Sequence, residues 1–374
     1  MKMLVAGDFC PQDRVQALFE KGLYADVLED IKSQTTEADY SIVNLECPIV
    51  TNLKEKISKK GPNHHCGPSV ISALKYAGFD GVTLANNHFR DFGTIGCEET
   101  LSALDAAAID HVGGGMNLAL AQEVLYRQLK GKRLAIVNIC ENEFSIATGE
   151  RAGAAPLDLV QNYYQITEAR KNADHVAVIV HGGHELYQLP SMRMKKTYRW
   201  FIDLGADVVV NHHQHCYTGY ETYNEKLIFY GLGNFCFDSP RRRNHIWNEG
   251  YMVLLTFDKT IDFCIIPYKQ CDAYPRVSLL TGKEKDVFLE RIHSYNEIIE
   301  SDFLLNKAAN EYYNSCKRDM EVELGNLSDY KLIRGLKRKH FMSSSISEHK
   351  RNQLIDYIFC EAHRDKVEYC LKNK

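Results

Sequence analysis

Short apolar runs separated by stretches of helical period limit the folds open to this chain. Residues 3–7, 40–45, 81–85, 134–139, 175–180 and 207–210 read as strands, and 24–35, 68–77, 96–107, 158–171 and 194–204 between them read as helices. Strand and helix alternating in this way imply a largely buried sheet with helices on its faces, an α/β architecture. Runs at 226–230, 251–257 and 261–268, the last two joined by the tight turn Asp258-Lys259-Thr260, are expected to form a second, β-rich sheet. After about Pro275 the sequence changes to charged, helix-period segments such as 283–299 and 348–371. Two regions are therefore expected, 1–274 and a helical C-terminal region over 275–374.

Bulk properties remove several classes of function. The 374 residues, 45% of them hydrophobic, are enough to bury a core of enzyme size. With 45 basic and 49 acidic side chains the net charge is only -4, so no one-signed field argues for a nucleic-acid or membrane partner. No run approaches the ~18 apolar residues of a membrane span, and the N-terminal apolar stretch is too short for a signal-peptide core. Twelve cysteines occur without a C-x-x-C pair, several inside apolar strands, which fits reduced core thiols and a cytoplasmic location. The basic run 331–339, mixed with apolar residues, reads as a solvated helix face.

The informative residues stand at the ends of the apolar runs. Asp8, Glu46, Asn87 with His88, His181, and His213 with His215 each closely follow one. Singly, each has an ordinary explanation: a helix cap, a surface charge, a satisfied structural histidine. Together they occupy equivalent places, and in open α/β sheets sites form at the carboxyl ends of the strands. Carboxylate, amide and imidazole donors without thiolate pairs suit two divalent ions of Mn, Fe, Zn or Mg rather than a structural zinc. Ions about 3.5–4 Å apart can activate a water and neutralise charge on a phosphoryl oxygen.

Seven ordered stretches carry a specific resemblance: Gly7-Asp8; the segment from Ala38 through Asn44, Glu46 and Pro48; Asn86-Asn87-His88 with Asp91 and Gly93; His111 to Gly115; His181 to Glu185; Gly205 to His215; and Phe229 to Asp238. Over roughly residues 3–270 the chain resembles the CapA-type (poly-γ-glutamate capsule synthesis) family of the calcineurin-like metallophosphoesterase superfamily. The resemblance implies a calcineurin-like metallophosphatase fold, two packed mixed β-sheets flanked by helices. It also implies Asp8 on a first metal, Glu46 bridging, Asn87, His181 and the His213-x-His215 pair as further ligands, and His88 as general acid. Departures are Cys10 where the superfamily places a histidine, Glu46 for the bridging aspartate, and His212 for the glycine before the His-x-His pair.

The implied activity is phosphoester hydrolysis, by a phosphatase or phosphodiesterase, on a small-molecule or glycan substrate linked to capsule, exopolysaccharide or poly-γ-glutamate synthesis. Asn44, His184, Glu185, Asn234, Arg241 and Arg242 are the candidate substrate-binding residues, the arginines because their loop follows a matched stretch. The segment Lys59 to His65 is a further candidate to border the pocket. Two other readings stay open: a non-hydrolytic component that binds an anionic polymer or glycan precursor, and metal-dependent hydrolysis or transfer at an amide or acyl bond.

Overall fold

The computed structural model describes residues 1–51, 53–325 and 347–372; the basic run 331–339 lies outside them. In chain order the strands are β1 (Lys2–Cys10), β2 (Tyr40–Leu45), β3 (Gly81–Thr83), β4 (Asp110–Val112), β5 (Gly114–Gly115), β6 (Leu125–Leu129), β7 (Lys132–Cys140), β8 (Gly153–Ala154), β9 (His175–His181), β10 (Val208–His212), β11 (Tyr220–Tyr223), β12 (Lys226–Phe229), β13 (Asn234–Phe237), β14 (Glu249–Phe257), β15 (Ile261–Gln270) and β16 (Val277–Leu279). One sheet runs β16-β15-β14-β1-β2-β3-β4 with β13 also beside β1; the other runs β11-β12-β10-β9-β7-β6. β1 to β4 are mutually parallel, as are β7, β9, β10 and β12, while β14 to β16, β6 and β11 add antiparallel edges.

Period-two side-chain alternation explains how the sheets stack. Met3 and Val5, Tyr40 and Ile42, Tyr251 and Val253 from one sheet meet Leu134 and Ile136, Ala177 and Ile179, Val208 and Val210 from the other in a single apolar layer. The intervening residues face outward. Leu4, Ala6 and Val43 pack under the helices Asp13–Phe19, Ala25–Leu28 and Ser69–Ala77, and Val137, Val178 and Val209 pack under Leu159–Asn172 and Met192–Asp203. The central strands of both sheets are therefore covered on both faces, which is why their runs are largely apolar, while the edge strands β6, β11 and β15 carry polar, partly exposed residues.

Several elements differ from expectation. The strands at 226–230, 251–257 and 261–268 do not form a sheet of their own: β12 joins β10, whereas β14 pairs antiparallel with β1 and brings β15 with it. Alternation places Tyr251, Val253 and Leu255 in the layer between the sheets wherever the strand sits, so local sequence leaves its neighbour undecided. The helix expected at 194–204 begins at Met192 because the Ser191 side chain accepts from the Met194 N–H. The stretch 24–35 is broken into Ala25–Leu28, the 3-10 turn Glu29–Ile31 and Lys32–Glu37. Residues 348–371 form two helices, Glu348–Phe359 and Glu361–Lys372, interrupted where Cys360 takes an extended conformation. The first sheet continues past residue 274 through β16, and Phe288 and Ile292 of helix Gly282–Glu300 complete the core between the sheets. Among the described residues no helix is long and apolar enough to cross a membrane.

Candidate metal centre

The apolar layer between the sheets turns polar at one end. Counting in twos, Tyr40 and Ile42 lead to Asn44, Ile136 to Asn138, Ile179 to His181, and Val210 to His212, all of them buried. Glu46 lies just past β2. Asp8 sits at irregularities in the pairing of β1 with β2 and β13, and its N–H donates to the Gly233 carbonyl at 3.1 Å. That approach requires glycine at position 7, where a Cβ would lie 2.0 Å from the Gly233 oxygen. The loop after β3 is held by Asn138, whose Oδ1 accepts from the N–H groups of Leu84 and Ala85, and Asn86 Nδ2 donates to the Leu45 carbonyl at 2.9 Å. His213 and His215 have φ of 88° and 54°, a left-handed backbone uncommon outside glycine. Strain at adjacent histidines aimed at one point is a mark of functional sites.

Glu46 is the centre of the cluster. Its Oε1 lies 3.5 Å from His181 Nε2 and 3.6 Å from His215 Nε2, and both of its oxygens are buried without a hydrogen-bond partner. Burial, reinforced by Asp8, pushes the Glu46 carboxyl well above its usual range. Two groups of ligand atoms within 4.8 Å of one another share it: Glu46 with His181 and His213, and Glu46 with Asp8 and His215. Asn87 Oδ1 and His213 Nδ1 lie 3.1 Å and 3.0 Å from His181 Nε2. Burial and the neighbouring imidazoles hold His181 neutral, the form that ligates. Electron-pair donors converging on a buried carboxylate with no proton donor of its own fit divalent cations, and the oxygen and nitrogen set matches Mn, Fe, Zn or Mg.

The remaining sequence candidates divide into those at the cluster and those away from it. His88 Nδ1 is 2.6 Å from Asp91 Oδ2 and 3.0 Å from Lys59 Nζ. Asn44 donates to Asp8 Oδ1 at 2.7 Å and stands 3.2 Å from His181 Nδ1; Asn234 Oδ1 is 2.9 Å from His215 Nδ1. Both amides thus orient ligand candidates. His184 is directed elsewhere, with Nε2 3.2 Å from the Tyr313 hydroxyl and its ring against Tyr187 and Tyr312. Glu185 is an exposed residue whose carboxyl nevertheless sits among packed groups: that packing raises it, and the nearby His215 and His213 outweigh the effect and draw it below the usual range. Arg241 is exposed, while Arg242 lies over Trp247, whose ring is 4.6 Å from His215. Arg243 pairs with Asp238 at 2.9 Å. The Cys10 thiol is fully buried, pushed by that burial up to about 11, and so is a poor ligand. His212 lies 3.5 Å from Asp8 Oδ1.

Two residues absent from the site expected from sequence stand beside it. Glu143 Oε2 accepts from Asn87 Nδ2 at 3.3 Å, and its Oε1 is 3.7 Å from His213 Nε2. It comes three residues after β7, behind Glu141 and Asn142, so the same rule applied to the run 134–139 marks the segment without singling out Glu143. Asn138 is the second, marked only by being polar in an apolar run. In the segment Lys59 to His65, Lys59 forms a buried ion pair with Asp91, and the His64 ring lies 4.4 Å from that of His88.

The family model for the bacterial capsule synthesis protein PGA_cap matches residues 2–239. The chain belongs to this family. Its fold is two packed mixed sheets flanked by helices, with a helical C-terminal region. The capsule biosynthesis protein CapA of Bacillus anthracis is 31% identical over 246 residues, covering 64% of this chain and 60% of that protein. The PGA biosynthesis protein CapA of Bacillus subtilis is 32% identical over 204 residues, 54% of each. The chain thus spans a little over half the length of these relatives. A solved Staphylococcus aureus structure, provisionally named a 5'-nucleotidase, aligns with 78% of this chain and 58% of its own at 14% identity and a TM-score of 0.45.

Proposed function

We propose that this PGA_cap-family chain is a dinuclear metal-dependent phosphoester hydrolase acting on an anionic glycan or polymer intermediate of capsule or poly-γ-glutamate synthesis. The observation that carries the reading is Glu46: a buried carboxylate with two unpartnered oxygens, shared by two groups of nitrogen and oxygen donors. Asp8, Glu46 and His215 would hold one ion, and Glu46, Asn87, His181 and His213 the other. When bound, such ions supply an activated water and neutralise charge on the phosphoryl oxygens.

The chain's own residues supply positioning and a proton. Asn44 and Asn234 fix the rings of His181 and His215 through their Nδ1 atoms. Asp91, held by Lys59, anchors His88 at Nδ1 and leaves Nε2 to give a proton to the departing oxygen. Burial first, then Lys59, draw the His88 pKa well below its usual value, so the ring rests neutral and becomes the acid only when the charge of a bound phosphoester raises that pKa and the ring takes up a proton. On this reading Arg241, Arg242 and Glu185 would meet the substrate beyond the scissile bond, which the exposure of Arg241 and Glu185 supports.

Metal quantification on protein purified without chelator, followed by a screen of phosphomonoesters and phosphodiesters, tests the reading. About two equivalents of metal and a turnover that falls roughly 10²–10⁴-fold in His88→Ala with metal content kept are expected. Metal-free, inactive protein would overturn it. Cys10 favours a second reading, because a neutral thiol in place of a histidine leaves the Asp8 group with fewer donors. On that reading the chain binds an anionic polymer without cleaving it, and direct binding of poly-glutamate by metal-free protein is the expected outcome.

A further inference from the structure

The last two helices lie outside the stretch that the family shares, yet they dock on loops that build the candidate centre. The interruption at Cys360 turns Glu361, the first residue of the final helix, into the protein, where it is 7% exposed. Its two oxygens hold one residue of the loop after β7: Oε2 accepts from the Asn142 main-chain N–H at 2.8 Å, and Oε1 from Asn142 Nδ2 at 2.7 Å. The neighbouring Ala362 N–H donates to Glu141 Oε2 at 3.2 Å. The next residue along the loop is Glu143, which meets Asn87 and His213. A carboxylate that grips one residue by both main chain and side chain leaves that residue little rotational freedom, and the restriction passes directly to its neighbour.

We propose that Glu361 is a positioning residue of the metal centre: through Asn142 it sets Glu143 against Asn87 and His213, so that the C-terminal helix pair completes a site whose ligands all come from the shared stretch. This rests on the dinuclear reading above. Partners that orient metal ligands from behind typically change metal affinity 10–100-fold when removed. Glu361→Gln can remake both contacts only if the Asn142 amide turns over, which gives up the Asn142 Nδ2 bond to the Leu157 carbonyl, so it should lose less than Glu361→Ala. Glu361→Ala removes both.

The test is Mn²⁺ titration by calorimetry on the full chain, together with hydrogen exchange over residues 141–145, for Glu361→Ala, Glu361→Gln, Glu143→Ala and the Glu143→Ala/Glu361→Ala pair. The second Mn²⁺ is expected to bind about tenfold more weakly in Glu361→Ala. Exchange over 141–145 should quicken, Glu361→Gln should show the smaller change in both properties, and the double variant should be no weaker than Glu143→Ala alone. Faster exchange confined to 348–372 with unchanged affinity for the second ion would overturn the proposal, leaving Glu361 as a docking contact. Independent, additive losses in the double variant would overturn it too. If wild type takes up no Mn²⁺, the dinuclear reading fails separately; positioning then stands or falls on whether Glu361→Ala quickens exchange over 141–145.

Discussion

A buried carboxylate with no partner is costly to fold around, because it loses hydration and gains no hydrogen bond in return. Glu46 is such a residue, and Asp8 nearby adds like charge. Glu46→Gln should therefore act in opposite directions with and without metal. In chelator the variant should be more stable than wild type by about 1–3 kcal/mol, and in Mn²⁺ it should lose bound metal and that advantage. Thermal unfolding in both conditions, with metal analysis, checks the reversal; equal stability in chelator would mean the carboxylate is not under strain. The residue types of this centre were legible in sequence because each closely follows an apolar run. Their partners were not: the Asp8 to Asn44 and His215 to Asn234 contacts depend on which strands lie side by side.

At the scale of elements, the centre depends on how closely two backbones approach and on what the flanking loops bury. Gly7→Ala would place a methyl against the Gly233 carbonyl, where both neighbours are main chain and cannot yield cheaply. A loss of about 3 kcal/mol in urea unfolding is expected, accompanied by loss of metal, since Asp8 and β13 would be pushed apart. His64, on the loop before helix Ser69–Ala77, contributes a pH dependence. Burial, then His88, take its pKa down to about 2, against 6.5 for an unperturbed histidine. The folded state keeps the ring neutral while the unfolded chain protonates it, so its contribution is complete above pH 6.5 and declines as pH falls towards 2. Unfolding free energy in chelator should fall between pH 7 and 4, where His64 adds less than the limiting ~1.4 kcal/mol per pH unit, because its ring is partly exposed, to the shares of His88, His181, His184, His212 and His215, which burial depresses as well. His64→Gln should flatten that slope; an unchanged slope would assign it to other groups. Strand positions were readable at this scale, whereas the break at Cys360 carries no glycine or proline to announce it.

For the whole molecule, the two sheets and the C-terminal helices converge on one polar end of an otherwise apolar layer. With candidate ligands drawn from both sheets, bound ions would link the sheets where the apolar layer stops. Each ion held at a hundred times its dissociation constant would add about 2.7 kcal/mol to folding. Chelation should accordingly lower the unfolding midpoint and metal restore it, with His215→Ala and His181→Ala each losing part of the gain. A midpoint indifferent to chelator and to added Mn²⁺ would argue against ions between the sheets. The division expected at 274 was drawn from a change in composition, while β16 and the helix Gly282–Glu300 extend the first sheet and its core beyond that point.

The sequence by itself determined the apolar runs, their helical intervals and the kinds of donor at the run ends, because period and strand termination are local properties of the chain. It also carried enough motif to reveal the family. Tertiary structure alone decided that β14 lies beside β1, that Glu46 stands between His181 and His215, and that Lys59, Glu143 and Glu361 take up places around the centre. Those outcomes follow from loop paths and from helices that dock more than 200 residues along the chain from the loop they hold. No local preference encodes contacts of that range; they emerge only when the two apolar faces close on each other.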